Sequence, residues 1–139
     1  LFYQVFNRYL LLRKKELNEY LSHVNTGYEK IQNLLNFYID SVKELEGKKG
    51  CLVVGSAIEI EVLNHELTRA IEFALNKNLS NIKKLIEEGK ADGSINQELN
   101  VDQAASLLLC LVLGIRVAGK TSSTRPNDSI ISLIMKLFT

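Results

Sequence analysis

Between Ala104 and Val117 the chain reads AASLLLCLVLGIRV, apolar almost all the way round a helical wheel. A helix on the surface of a globular domain needs only one apolar stripe. One that is greasy on every side must be covered on two sides, so this segment cannot be a peripheral element. Its longest apolar run, Leu107 to Ile115, ends at Arg116 and falls far short of the ~20 residues needed to cross a bilayer. A second wide apolar face follows at Ile130, Ile131, Leu133, Ile134, Leu137 and Phe138.

The rest of the chain supplies helices to pack against these two. Phe2, Val5, Phe6, Tyr9, Leu17, Tyr20 and Leu21 recur at helical spacing over residues 1–23, with Arg13, Lys14, Lys15 and Glu16 on the wet side. Asn25-Thr26-Gly27 breaks that rhythm, and Thr26 with Glu29 predicts a capping box for the next helix. There Ile31, Leu34, Leu35, Tyr38, Val42 and Leu45 form a core stripe, and Gly47-Lys48-Lys49-Gly50 ends it. Asn64 caps a further helix carrying Leu67, Ile71, Leu75, Asn78, Ile82 and Leu85, with Gly93 as its stop. Asn100 with Gln103 opens the apolar helix, and Pro126 suits the first turn of the last one.

Residues 51–62 are ambiguous. Ile58-Glu59-Ile60-Glu61-Val62 alternates like a strand, while Cys51, Val54, Ile58 and Val62 share a helical stripe. A lone strand among helices would leave backbone groups unpaired, so a short helix is expected. The sum is an all-α bundle of about six helices in one domain. At 139 residues, 46% apolar and 24% charged, the chain is long enough to bury a core. A net charge of +1 gives no general attraction for nucleic acid or anionic lipid. Two cysteines make no disulfide framework and suit a reducing cytoplasm.

Chemistry-bearing motifs are few. Gly114-Ile115-Arg116-Val117-Ala118-Gly119-Lys120-Thr121 matches the phosphate-cradling pattern G-x-x-x-x-G-K-[ST], with Lys120 as the charge. Such a loop must follow a strand and open into a helix, whereas this one follows an apolar helix and runs into Ser122-Ser123-Thr124-Arg125-Pro126. The tail of a buried helix is the better reading. His23 and His65 have no ligand at helical spacing, Glu59 and Glu61 cannot share a helix face, and Glu87 with Glu88 reads as a solvated side. No metal, cofactor or catalytic constellation is expected. Cys51, behind Lys48 and Lys49, has the surroundings of a redox-sensing thiol, although a small buried hydrophobe fits as well. Cys110 reads as packing, and Arg8, Arg13, Lys14 and Lys15 as a solvated face.

Several stretches in order resemble the regulatory domain of tetracycline-repressor (TetR) family regulators. They are Gly50-Cys51-Leu52-Val53-Val54-Gly55-Ser56-Ala57-Ile58-Glu59, Asn64-His65-Glu66-Leu67, and Glu88-Gly89-Lys90-Ala91-Asp92-Gly93-Ser94-Ile95. Asn100-Val101-Asp102-Gln103-Ala104-Ala105 and Leu113-Gly114-Ile115-Arg116-Val117 continue the pattern, and Leu1 to Tyr9 resembles the helix leaving the DNA-binding head. The chain departs from the family in having Gly55 where Asn is frequent, and in lacking the helix-turn-helix head.

The resemblance implies a ligand-responsive transcriptional regulator, most often a repressor, with residues 1–139 as its effector-sensing and dimerising part and operator DNA bound elsewhere. It implies a largely apolar effector among the helices holding Leu35, Tyr38, Ser56, Phe73 and Leu108, with Tyr38, Ser56 and Glu59 as polar anchors. It also implies a homodimer in which the last two helices of each copy form a four-helix interface through Leu107, Leu111, Ile115, Ile130, Ile134 and Phe138. The alternatives are a nucleotide-binding protein using Lys120 and a stand-alone helical adaptor.

Overall fold

The computed structural model describes residues 2–43 and 65–139. Within them it contains five α-helices and no strand: α1 (Phe2–Leu21), α2 (Gly27–Lys43), α3 (His65–Asp92), α4 (Val101–Ala118) and α5 (Ser129–Met135), closed by a 3-10 turn at Lys136–Phe138. The all-α expectation holds. The expected helix over residues 51–62 and the Asn64 cap lie outside the described residues.

Helix α2 starts where the free N–H groups of its first three residues all find partners, and Lys30 makes the first bond of the helical ladder. Gly27 N donates to Asp92 Oδ2 at 2.8 Å, and Tyr28 N to Ser94 Oγ at 3.1 Å. Glu29 N donates to Thr26 Oγ1 at 3.1 Å, and Lys30 N to Thr26 O at 3.0 Å. Thr26 therefore caps as its sequence position predicts, although its hydroxyl turns to the Glu29 carboxylate at 3.0 Å. The other half of the cap comes from the turn after α3, some 65 residues away, where Gly93 adopts φ +83° as a helix stop requires.

This long-range cap holds α2 and α3 together where neither backbone has a side chain between them. A Cβ on Gly27 would lie 2.2 Å from Gly89 N and 2.4 Å from Gly89 Cα. Lys30 and Glu88 pair beside that crossing. From there the main core runs along the antiparallel helices: Ile31, Leu35, Ile39 and Val42 of α2 meet Ile82 and Ile86 of α3 and Ala105, Leu108 and Val112 of α4. Helix α5 closes it with Ile131, Ile134 and Met135, and Asn96 N donates to Phe138 O at 2.9 Å, drawing the chain end onto the α3–α4 turn.

Helix α4 opens at Asn100, whose side chain accepts from Gln103 N at 2.9 Å, as expected. By length and composition alone it is apolar enough to cross a membrane. Here it packs against α2 and α3 and turns Ala104, Ala105, Leu108, Val112, Ile115 and Arg116 inward. Helix α5 starts three residues later than Pro126 suggests. Asn127 Oδ1 accepts from Ser129 N at 2.9 Å, so an asparagine side chain closes the turn that proline was expected to enter as a helix.

Helix α1 lies along α2. At its far end Tyr20 Oη donates to Asp40 Oδ2 at 2.9 Å, and Asn33 Nδ2 donates to Tyr20 O at 2.9 Å. At its beginning Phe6 packs with Ile71 and Ala74 in a small cluster separate from the main core.

Two outcomes test this frame. Gly27→Ala gains helix propensity but drives a methyl into the Gly89 backbone, so urea unfolding should show a net loss of about 1–3 kcal/mol; an unchanged midpoint would contradict the close crossing. The Asp92 carboxyl sits below its ordinary 3.8 because the Ser94 hydroxyl, then the Gly27 and Ser94 N–H groups, hydrogen-bond its charged form, with Lys30 nearby, against a small opposing effect of burial. A depressed carboxylate stabilises the fold above its unfolded value, and that contribution is lost as pH falls through the folded value. Asp92→Asn should therefore flatten the acid limb of the stability–pH curve.

Candidate functional site

A cavity of about 1010 Å³ opens between α1, α2, α3 and α4, away from the Gly27–Gly89 crossing. This is the upper end of the ~300–1,000 Å³ usual for ligand pockets. Helix α1 supplies the most varied wall, from Asn7 and Tyr9 through Leu10, Leu11 and Arg13 to Leu17. Phe37 and Tyr38 come from α2, a row from Glu66 to Asn81 from α3, and Val112, Leu113 and Arg116 from α4. The i, i+3, i+4 spacing of Arg69-Ala70-Phe73-Ala74-Lys77 places small and large apolar groups beside cations on one side of α3.

Two arginines define the cavity's electrostatics. Arg13 lies over the Phe37 ring, 4.5 Å from its centroid, and donates to Ser41 Oγ at 2.7 Å and to Glu16 Oε2 at 3.1 Å. Ser41 passes its own proton to Phe37 O at 2.7 Å, so the arrangement is fixed to the α2 backbone. Arg116 is only 5% exposed. Its Nη2 donates to Tyr9 Oη at 3.2 Å, and its guanidinium faces the Tyr38 ring at 5.4 Å. Its Nε has no hydrogen-bond partner, and no carboxylate pairs with it among the described residues.

The expected ligand residues divide. Tyr38 lines the cavity, and Phe73 lines it from the rim with 68% of its surface exposed. Leu35 and Leu108 do not line it: both are sealed in the main core. A core stripe and a cavity wall share one helical period, which is why the sequence could not part them. Ser56, Glu59 and Cys51 lie outside the described residues.

Tyr9 and Arg116 line the cavity although neither was expected at a site, and Arg13 lines it rather than standing on a solvated face. A single arginine closing an otherwise apolar helix was the available signal for Arg116, because such a group must be buried, turned out or bound.

The phosphate-loop alternative fails on geometry. Gly114 to Ala118 are the last turns of α4, and Gly119 is its right-handed C-cap. A Cβ on Gly119 would lie 2.5 Å from Val42 Cβ, so the glycine serves helix packing rather than a phosphate. The Thr121 and Thr124 hydroxyls are turned to each other, Thr124 Oγ1 also donates to Ala118 O at 2.7 Å, and Lys120 points into solvent.

The expected interface residues are also redistributed. Ile115, Ile134 and Phe138 are buried within the single chain and cannot form an outer face. Leu111 and Ile130 are half-buried. The outward stripe of α4 instead carries Leu107, Cys110, Gly114 and Val117, and α5 with its terminal turn adds Leu133 and Leu137. Cys110 is therefore exposed rather than packed. One apolar face of α4 is covered by its own chain and the other is bare.

The family described as tetracyclin repressor-like, C-terminal domain, matches residues 27–130, about three quarters of the chain. The chain belongs to this family. No curated protein and no solved structure matches it. Membership makes this a TetR-type regulatory domain, and domains of that family are regulatory rather than catalytic. The match spans α2, α3 and α4, three of the four cavity walls, and ends within α5.

Tyr9 is the hydrogen-bonding neighbour of a buried guanidinium. Tyr9→Phe should cost about 1–3 kcal/mol in thermal or urea unfolding, the usual penalty for stripping a partner from a buried polar group. A fully neutral substitution would mean that the Arg116–Tyr9 contact is not formed in solution.

Proposed function

We propose that this chain is the effector-sensing and dimerising part of a TetR-type transcriptional regulator acting in the cytoplasm, most simply as a repressor. Operator DNA would be held by a helix-turn-helix segment preceding Leu1 in the intact protein, and released when an effector enters the cavity. The observation that carries this reading is that one helix, α1, forms a wall of the cavity and sets Tyr9 and Arg13 into it. An effector that fits one placement of α1 better than another biases that helix, and a coupling of about 1–3 kcal/mol is enough for regulation. Because the family resemblance puts α1 next to the DNA-binding head, its displacement is the natural route to the operator.

The bare side of α4 and α5 is the proposed homodimer face. Leu107 is 47% exposed, Val117 43%, Leu133 65% and Leu137 47%, and Leu107 and Leu137 line one shallow hollow between α4 and the chain end. Between them Ser106, Cys110 and Gly114 are small, and a Cβ at Gly114 would meet nothing within 4 Å, which leaves room for a second helix to approach. Two copies of α4 and α5 in contact would make a four-helix interface. It would set the spacing of two DNA-reading helices at roughly 34–36 Å, one turn of duplex.

Sedimentation of Leu133→Glu and Leu107→Glu should give monomers with unchanged helical content, since both side chains face out. Ile134→Asp should instead unfold the chain, because its side chain is inside. A dimer that survives both glutamates would remove α4–α5 as the interface.

A further inference from the structure

We propose that the effector is an amphipathic carboxylate, its acid group neutralising Arg116 and its apolar body lying along Leu10, Phe73 and Leu113. This rests on the reading of the cavity as the effector site and specifies what that site accepts.

The described lining carries five cationic side chains, Arg13, Lys14, Arg69, Lys77 and Arg116, against one carboxylate, Glu66. The whole chain is only +1, so among the described residues positive charge is concentrated at this opening. Four of these cations have other relief. Arg13 pairs with Glu16, Lys77 lies 6.0 Å from the centroid of the exposed Phe73 ring, and Lys14 and Arg69 are solvated. Arg116 has only an aromatic face, the Tyr38 ring at 5.4 Å, and no solvent or carboxylate outlet among the described residues. It is buried to 95%, bonded to a neutral phenol, and without a carboxylate partner among the described residues.

A guanidinium does not shed its proton to escape burial, as an amine can. Burying such a charge without a counter-ion is costly, and breaking the symmetry of a buried pair leaves that cost standing. Arg116 nonetheless forms part of a cavity wall. An anion entering there would gain an attraction strengthened by the low-dielectric surroundings, where water competes poorly. The planar guanidinium favours a carboxylate, which it can meet with paired hydrogen bonds. The remaining wall decides the rest of the ligand: Leu10, Leu11, Leu17, Phe37, Phe73 and Val112 reward an apolar body, and a small hydrophilic anion would leave them wet.

The test compares ligands of equal chain length on the full chain. Dodecanoate and dodecan-1-ol, each below its aggregation threshold, are titrated as competitors of the neutral dye N-phenyl-1-naphthylamine. Dodecanoate should bind about tenfold or more tightly than the alcohol, as expected for a hydrogen bond to a charged group. In Arg116→Gln that preference should vanish while the alcohol binds as before. If carboxylate and alcohol bind the unaltered chain equally, the anion inference is overturned and the cavity remains an effector site. If neither binds, both readings fall. Should Arg116→Gln be poorly folded, the comparison on the unaltered chain still decides. The ligand-free variant is itself expected to melt no lower than its parent, since it removes an uncompensated charge; a markedly lower melting point would mean that Arg116 already has its counter-charge, which also overturns the proposal.

Discussion

Everything in this fold is referred to the point where Gly27 meets Gly89. Two helices can approach this closely only where no Cβ stands between them, and here a methyl on Gly27 would lie closer than any real contact allows, while the open side of Gly89 is filled by Ile95. The Asp92 and Ser94 side chains then lock the N-terminus of α2 to the turn that ends α3. Pinned at one end, the antiparallel pair carries a tight core through Ile31, Leu35, Ile82 and Ile86. Away from the pin it has room to accommodate a cavity. The tight end and the hollow end are consequences of the same contact.

The hollow end carries an arrangement that stability alone would not select. A well-packed hydrophobe at position 116 would serve the fold at least as well as a buried, half-satisfied guanidinium. Its neighbours suit a different purpose. Tyr9 and Tyr38 steady the charge without cancelling it, and Ser41 and Phe37 hold Arg13 close by. Polar groups placed sparsely on apolar walls are the usual composition of a recognition pocket.

Much of this was readable in the sequence. The caps at Thr26 and Asn100, the stop at Gly93 and the core stripes of α2 and α3 follow from local chemistry, which acts over one or two turns. The family emerged from the order of several short stretches. Less legible was which side of an all-apolar helix faces home. Ile115 and Leu107 differ by eight residues on α4, one buried and the other bare, and nothing in their identities tells them apart. The same ambiguity placed Leu35 and Leu108 in the cavity when they belong to the core. The P-loop pattern failed for a related reason: eight letters record spacing but not whether the chain is coiled or open, and here five of the eight lie in a helix.

The placement of α1 has a mechanical meaning. Its Tyr20 end is tethered by hydrogen bonds to α2, while Phe6 packs with Ile71 and Ala74, and with the partly buried Leu10, Ala70 and Leu75, in a cluster outside the main core. In the proposed switch, α1 acts as a lever from its Tyr20 tether. At 1.5 Å per residue the arm from Tyr20 to Phe6 is about 20 Å, so a swing of a few degrees carries its tip on the order of 1–2 Å. Arg13 and Tyr9 sit along that arm. A molecule wedged beside them would need to push only slightly for the tip to travel appreciably.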